Sequence, residues 1–401
     1  MTASDISPSR RHHATRRLRA AVSATLTAAL LAAAGGTASA DQVRKNLWPL
    51  EAFGARDVWK TATGKGVTVA VIERGFRTTH QDLTGQFLRG ANFANTSQGD
   101  GSKDLMPGED LRDHGTAMVG IIAGHGHGPG GSEGIKGLAP GAKILPIPQY
   151  KNGAAATRYA VDHGADVINM SYSEKPPSAD TCPSIHYAIE KGVVVVAAMG
   201  NDSSSQKSYP VGCPGAIGVG SVDQNGEAAD FNDFNSDVDL LAPGVKIPLA
   251  MAKSDSDYRT DEGCSAATAY VSGAVALLKE KFPHLTPGQI ANRLVKTAGL
   301  AEPQKAKHLK LPDVHYGYGF IQPGPALTRD IPAGPAPGPL PMPQGKAPQT
   351  AVVPGADKGP DPDPPMGGKK KLMLFGGGTA ALLAIGITQI AARRRSRTPA
   401  A

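Results

Sequence analysis

The chain has 401 residues and a formal net charge of +7, unevenly placed: five Arg and one Asp lie in the first 40 residues, and three Lys and four Arg cluster in residues 369–397. Residues 41–368 are left with −4, so the basic balance belongs to the two ends and does not point to nucleic acid. Three cysteines allow at most one intrachain disulfide, and the stretch between the ends is long enough for a full hydrophobic core.

In chain order, Arg10, Arg11, Arg16, Arg17 and Arg19 precede an apolar run over 26–34, and Ala38-Ser39-Ala40 supplies small residues for cleavage. Residues 1–40 therefore read as a signal peptide, with a mature start near Asp41. Arg16-Arg17 lacks the residues that follow a twin-arginine pair, which favours ordinary Sec export. Within 41–328, apolar runs at 67–72, 143–147, 167–170, 193–198 and 216–222 predict buried strands, and 117–123, 155–163, 185–191 and 266–282 predict helices between them. Alternation of this kind predicts an α/β fold with a mostly parallel sheet covered on both faces. Thr286-Pro287-Gly288-Gln289 predicts a capped helix start, with a helix running to about Leu300.

Residues 329–368 are dominated by Pro, Gly and Ala and predict a semi-extended, unfolded tether. Residues 372–392 are apolar and uncharged; at about 1.5 Å per residue they match a hydrocarbon core of about 30 Å, so one C-terminal transmembrane helix is expected. The flanking charges barely orient it. The signal peptide does: it puts the body outside the cell membrane and the basic tail, 393–401, in the cytoplasm.

Four segments carry chemistry-bearing residues: Val69-Ala70-Val71-Ile72-Glu73-Arg74-Gly75, Asp113-His114-Gly115-Thr116, Ala198-Met199-Gly200-Asn201 and Gly263-Cys264-Ser265-Ala266-Ala267. They put a carboxylate at the end of a buried strand, a His before Gly-Thr, an Asn after an apolar strand, and a Ser at the start of a small-residue helix. In this order they resemble the subtilisin-like (subtilase) family of serine proteases. Thr79-His80-Gln81-Asp82-Leu83, Gly137-Leu138-Ala139-Pro140-Gly141-Ala142, Asp166-Val167-Ile168-Asn169-Met170-Ser171, Val238-Asp239-Leu240-Leu241-Ala242-Pro243-Gly244 and Gly317-Tyr318-Gly319-Phe320-Ile321-Gln322-Pro323 extend the resemblance collinearly through the domain.

The resemblance implies a three-layer subtilisin-like fold and a set of roles. Ser265 would be the nucleophile and its N–H an oxyanion donor; His114 would be the general base and acid; the Asn201 amide would bind the oxyanion. Glu73 stands where the family has Asp, and Arg74 where it has a small Ser or Thr. An acid one methylene too long predicts slow acylation of Ser265 that Glu73→Asp would speed. The cleft would be lined by Ser171, Tyr172, Ser173, Ala198, Met199 and Gly200. Met199 and Ser173 are bulkier than the family's residues, and Thr268-Ala269 replaces Ala-Pro. Both a narrowed specificity pocket and drift in a site no longer used for cutting remain open. The family layout also implies a Cys182–Cys213 disulfide, with Cys264 buried, free and not the nucleophile.

The order of signal peptide, protease domain, Pro-rich tether, membrane helix and basic tail resembles the mycosins, membrane-anchored subtilases of type VII secretion. As in these, little chain precedes the first strand to serve as a folding pro-domain. The implied partners are polypeptide substrates, membrane-embedded secretion components and the lipid bilayer. No cofactor is expected: His125 and His127 sit in a Gly-rich surface loop with no third ligand, and no contiguous calcium loop is legible although calcium sites are frequent in subtilases. Two functions follow from the resemblance, an exported membrane-anchored serine endopeptidase working with Glu73, or a catalytically impaired subtilase that binds secretion proteins or peptide segments.

Overall fold

The computed structural model of the protein describes residues 42–94, 100–101, 109–149 and 151–347. The expected signal peptide and membrane helix lie outside these residues. Among the described residues, no helix is long and apolar enough to cross a membrane.

The core is a six-stranded parallel sheet in the order β4-β1-β5-β6-β7-β8. Its strands are β1 (Thr68–Glu73), β4 (Lys143–Pro148), β5 (Val167–Met170), β6 (Val194–Ala198), β7 (Ala216–Val222) and β8 (Leu240–Pro243). Their near-continuous apolar character follows from burial on both faces. Val69 and Val71 of β1 join one core with Val194 and Val196 of β6, whereas Ala70 and Ile72 join a second core with Val195 and Ala197. The two-residue period of the strand produces this sorting.

On the first face lie α3 (Glu109–Ala123), α6 (Cys264–Lys281) and α7 (Pro287–Thr297); on the second lie α4 (Gly153–Asp162) and α5 (Thr181–Glu190). Helix α6 runs through the middle of its layer with Ala266, Ala267, Ala269, Gly273, Ala274 and Ala276 buried. Small residues let its backbone approach the sheet closely. Two short N-terminal helices, α1 (Trp48–Ala52) and α2 (Ala55–Thr61), lie beside it, and Phe53 meets Tyr270 edge-on with ring centroids 5.5 Å apart.

Several expectations are corrected in detail. Helix α3 begins at Glu109 rather than near 117, so His114 is helical. Thr286 caps α7 as expected, its hydroxyl accepting from Gln289 N while the Gln289 side chain accepts from Thr286 N. The helix stops at Thr297, short of Leu300, because Ala298 is extended and Gly299 exchanges hydrogen bonds with Phe320 at 2.8 and 2.9 Å. Two antiparallel hairpins were not legible: β2 (His125–His127) with β3 (Glu133–Lys136), and β9 (Ile247–Ala250) with β10 (Tyr258–Asp261).

The stretch 331–347, expected to be an unfolded tether, is packed on the domain. Arg293 of α7 stacks over Phe282 and donates to the carbonyls of Ala326, Arg329 and Ile331. Gly215 N donates to Pro341 O, and Leu340 is buried in the first core. A Pro-rich chain makes little regular hydrogen-bonded structure of its own, and it is stable there because its carbonyls take donors from the domain.

The Gly-rich segment around His125 and His127 is likewise a docked hairpin rather than a free surface loop. His127 Nδ1 lies 2.6 Å from Oδ1 of the fully buried Asp82, whose Oδ2 accepts from Ile135 N and Tyr258 OH. Arg44 of the N-terminal arm clamps the same hairpin, donating to Gly131, Glu133 and Gly134 carbonyls at 2.9 Å each. Desolvation lowers the Arg44 pKa below its ordinary value, opposed by attraction to Asp82 and Tyr258.

Candidate active site

The carboxyl edge of a parallel sheet gathers loops from neighbouring strands, and a crevice forms where the strand order reverses. Here β4 and β5 follow one another in sequence yet flank β1 on opposite sides. Glu73 ends β1, Ser171 follows β5, and Asn201 follows β6 by three residues. Two helices complete the crevice: α3 brings His114, and α6 brings Ser265 as its second residue.

Glu73 is 3% exposed, and its Oε2 lies 2.9 Å from His114 Nδ1. Gly115 makes that approach possible. A Cβ there would lie 2.1 Å from the Gly75 carbonyl oxygen and 3.1 Å from the Glu73 Cβ, so a side chain would force α3 away from the end of β1. The over-long acid is therefore accommodated, with its carboxylate within ordinary hydrogen-bond reach of the imidazole. Its other oxygen, Oε1, is buried with no hydrogen-bond partner among the described residues. Arg74 is exposed.

The His114 side chain is 40% exposed, so one face of the imidazole is open to a substrate while its acid partner is shielded. Desolvation is the largest single influence and disfavours the imidazolium. Attraction to Glu73 and the hydrogen bond that His114 donates to it outweigh that, Arg74 works against them, Asp261 adds to them, and the His114 pKa rises above its ordinary 6.5. Only neutral imidazole can accept a proton. Accordingly kcat/KM should climb with pH along a limb whose midpoint lies above 6.5, and Glu73→Gln should move that midpoint downward; a pH-rate profile of both proteins checks this. The same upward shift stabilises the fold below the unfolded value, and this contribution fades as pH rises through the raised one.

Ser265 is half-buried in the first turn of α6. Its Oγ donates to the Ser171 carbonyl at 3.1 Å, and Ser171 Oγ donates back to the Ser265 carbonyl at 3.0 Å. His114 and Ser265 are not hydrogen-bonded to each other in this resting arrangement. Ser171 is braced from below by Asn169, whose Nδ2 reaches Ser171 Oγ at 3.0 Å and whose Oδ1 accepts from Ser272 at 3.0 Å. Sequence reasoning placed Ser171 in the cleft but gave no signal for this reciprocal pairing, which depends on two segments far apart in the chain.

Asn201 is exposed, and its Oδ1 accepts the Cys264 N–H at 2.9 Å, which leaves the amide Nδ2 as the donor of that side chain. As a first-turn amide, the Ser265 N–H has no acceptor inside its own helix. The Asn201 amide, the Ser265 N–H and the positive end of α6 are thus gathered at the start of that helix.

Of the other expected cleft residues, Tyr172 is half-buried and Ser173 exposed. Burial, then the charges of Glu174 and Glu73, push the Tyr172 phenol well above its ordinary range, so it stays neutral. Ala198 and Met199 belong to the second core, Met199 with no exposed surface. Met199 therefore does not narrow an open pocket, which corrects the expectation of a bulkier wall there. Gly200 is buried with φ +121, and a Cβ on it would sit 2.5 Å from Asp233 Oδ2.

Cys182 and Cys213 form a disulfide, and Cys264 is free and buried, as expected. The Cys264 thiol contacts Gly200 O and Asn232 Oδ1, both at 3.1 Å, and desolvation, partly offset by hydrogen bonds, pushes its pKa up to about 11. A protonated, enclosed thiol of this kind is a poor nucleophile.

Residues 64–319, more than half of the chain, match the Peptidase_S8 subtilase family. The chain belongs to the subtilase family of serine endopeptidases. Among relatives, this subtilase is 33% identical to fervidolysin of Fervidobacterium pennivorans over 327 residues, 73% of this chain and 45% of fervidolysin, so it spans less than half of that protein. It is 35% identical to subtilisin BL of Lederbergia lenta, covering 59% of this chain and 84% of subtilisin BL. Among solved structures it is similar to MycP1 from Mycobacterium smegmatis, at 28% identity and a TM-score of 0.60 over 74% of this chain and 88% of MycP1. A MycP1 structure from the ESX-1 type VII secretion system matches at 28% identity and a TM-score of 0.61, with the same coverage.

Proposed function

We propose that this subtilase is a working serine endopeptidase in which Glu73, His114 and Ser265 form the triad and Asn201 binds the oxyanion. The observation that carries the reading is the 2.9 Å contact between the shielded Glu73 carboxylate and His114, with Ser265 at the start of α6. On substrate binding, Ser265 Oγ leaves the Ser171 carbonyl, passes its proton to His114 Nε2 and attacks the scissile carbonyl carbon. The oxyanion takes hydrogen bonds from Asn201 Nδ2 and the Ser265 N–H; imidazolium paired to Glu73 then protonates the leaving amine, and water completes hydrolysis by the reverse proton path.

The protein is further read as exported by residues 1–40 and held at the cell membrane by residues 372–392, with its substrates among polypeptides outside the cytoplasm. Likeness to MycP1 supports placing it beside a type VII secretion system. The full chain treated with a fluorophosphonate should be labelled at Ser265, a label that Ser265→Ala removes. Lack of labelling under conditions where subtilisin reacts would favour a catalytically silent binding scaffold.

A further inference from the structure

Asn201 is exposed, and its side chain is anchored by the Cys264 N–H. Its aim therefore depends on the backbone that carries it. That backbone is gripped from beneath by Asp233, a residue with 1% relative exposure and no exposed side-chain surface. Asp233 N donates to the Gly200 carbonyl at 3.0 Å, and Asp233 Oδ1 accepts from Asp202 N at 3.0 Å and Ser204 N at 2.9 Å. One residue thus binds the chain on both sides of Asn201.

The second carboxylate oxygen, Oδ2, accepts from Lys175 Nζ at 3.1 Å, and the same ammonium lies 3.8 Å from Asp202. Lys175 belongs to the segment leaving β5, close behind Ser171 and Tyr172. That segment is bridged to the next loop by reciprocal backbone bonds between Glu174 and Tyr209 at 2.7 and 3.1 Å. A buried carboxylate needs a counter-charge and full hydrogen bonding to be tolerated, and here both are supplied by groups that also shape the site. The glycine at 200 leaves no room for a side chain between the carboxylate and the loop.

We propose that Asp233, neutralised by Lys175, is the positioning residue that aims Asn201 at the oxyanion. Asp233 does not touch substrate; it acts through residues 200–204. The proposal rests on Asn201 serving as the oxyanion donor. Because catalysis is sensitive to displacements of about 1 Å, releasing the loop should cost turnover more than binding.

Steady-state kinetics on the full chain test it. Asp233→Ala should lower kcat by about 100-fold with KM changed by less than about twofold, while in an Asn201→Ala background the same change should lower kcat by less than about threefold. Pairing Asp233→Asn with Lys175→Met keeps an oxygen to accept both amides and removes the two charges together, so it should recover kcat to within about tenfold of wild type. Equal losses in both backgrounds, or no recovery in the paired variant, would overturn the proposal. Failure of the wild type to turn over peptides would sink the endopeptidase reading instead. A crystal structure of the Asp233→Ala variant then decides positioning independently: displacement of the Asn201 amide from Cys264 N supports it, and an unmoved amide refutes it.

Discussion

Replacing His114 by alanine should lower kcat/KM by about 10⁶-fold, the scale of single knock-outs of the base or nucleophile in subtilisin. The reason lies in the resting contacts of Ser265. Its hydroxyl proton points at the Ser171 carbonyl, an acceptor that cannot take the proton away. Without the imidazole, Ser265 is an ordinary alcohol, and the leaving amine has no acid. What should survive is the modest catalysis supplied by the Asn201 amide, the Ser265 N–H and substrate binding. Kinetics with a peptide ester and a peptide amide would check this, and a loss under about 100-fold would mean that another group serves as base.

Shortening the acid should also slow the enzyme. Glu73→Asp withdraws the carboxylate by about 1.5 Å, one carbon–carbon bond, from an imidazole it now contacts at 2.9 Å. The end of β1 has little freedom to follow, because the strand is paired with β4 through Glu73 itself and with β5 through Val71. An expected fall of about 100-fold in kcat, or about 2.7 kcal/mol of transition-state stabilisation, follows from a misplacement of that size. The residue types alone suggested the opposite, that an over-long acid would be relieved by Asp. Fluorophosphonate labelling rates of the two proteins measure the difference, and faster labelling with Asp would restore the view of Glu73 as a poor fit.

Stability of the site follows the same division between charge and enclosure. Glu73 is 3% exposed and still reaches the imidazole at 2.9 Å; Cys264, also enclosed but facing carbonyl oxygens, keeps its proton because desolvation raises its pKa.

The residues most legible in the sequence were those whose pattern repeats locally. Continuous apolar runs predicted five of the six central strands, since a strand covered on both faces needs apolar side chains at every position. Strand β8, Leu240–Pro243, was quoted as a family phrase but not read as a strand. The Thr286 capping box was readable because its partners are three residues apart. His114, Asn201 and Ser265 could be named from their flanking residues, as could the Cys182–Cys213 pair from the family layout.

What the tertiary structure decided are contacts between residues distant in sequence. Whether Glu73 reaches His114 depends on how closely α3 approaches β1, which Gly115 permits and no local pattern encodes. Ser171 pairs with Ser265 across 94 residues, and Lys175 with Asp233 across 58. Residues 331–347 have the composition of a free tether, yet donors such as Arg293 and Gly215 hold them to the domain. By itself the sequence determined which groups enter the crevice, because the motifs around them resemble those of the subtilase family, while periodicity gave the strands and helices that carry them. Only the packing of the layers decided the distances between those groups, because proton transfer and hydrogen bonding fall off within about 1 Å, a tolerance that no spacing along the chain can specify.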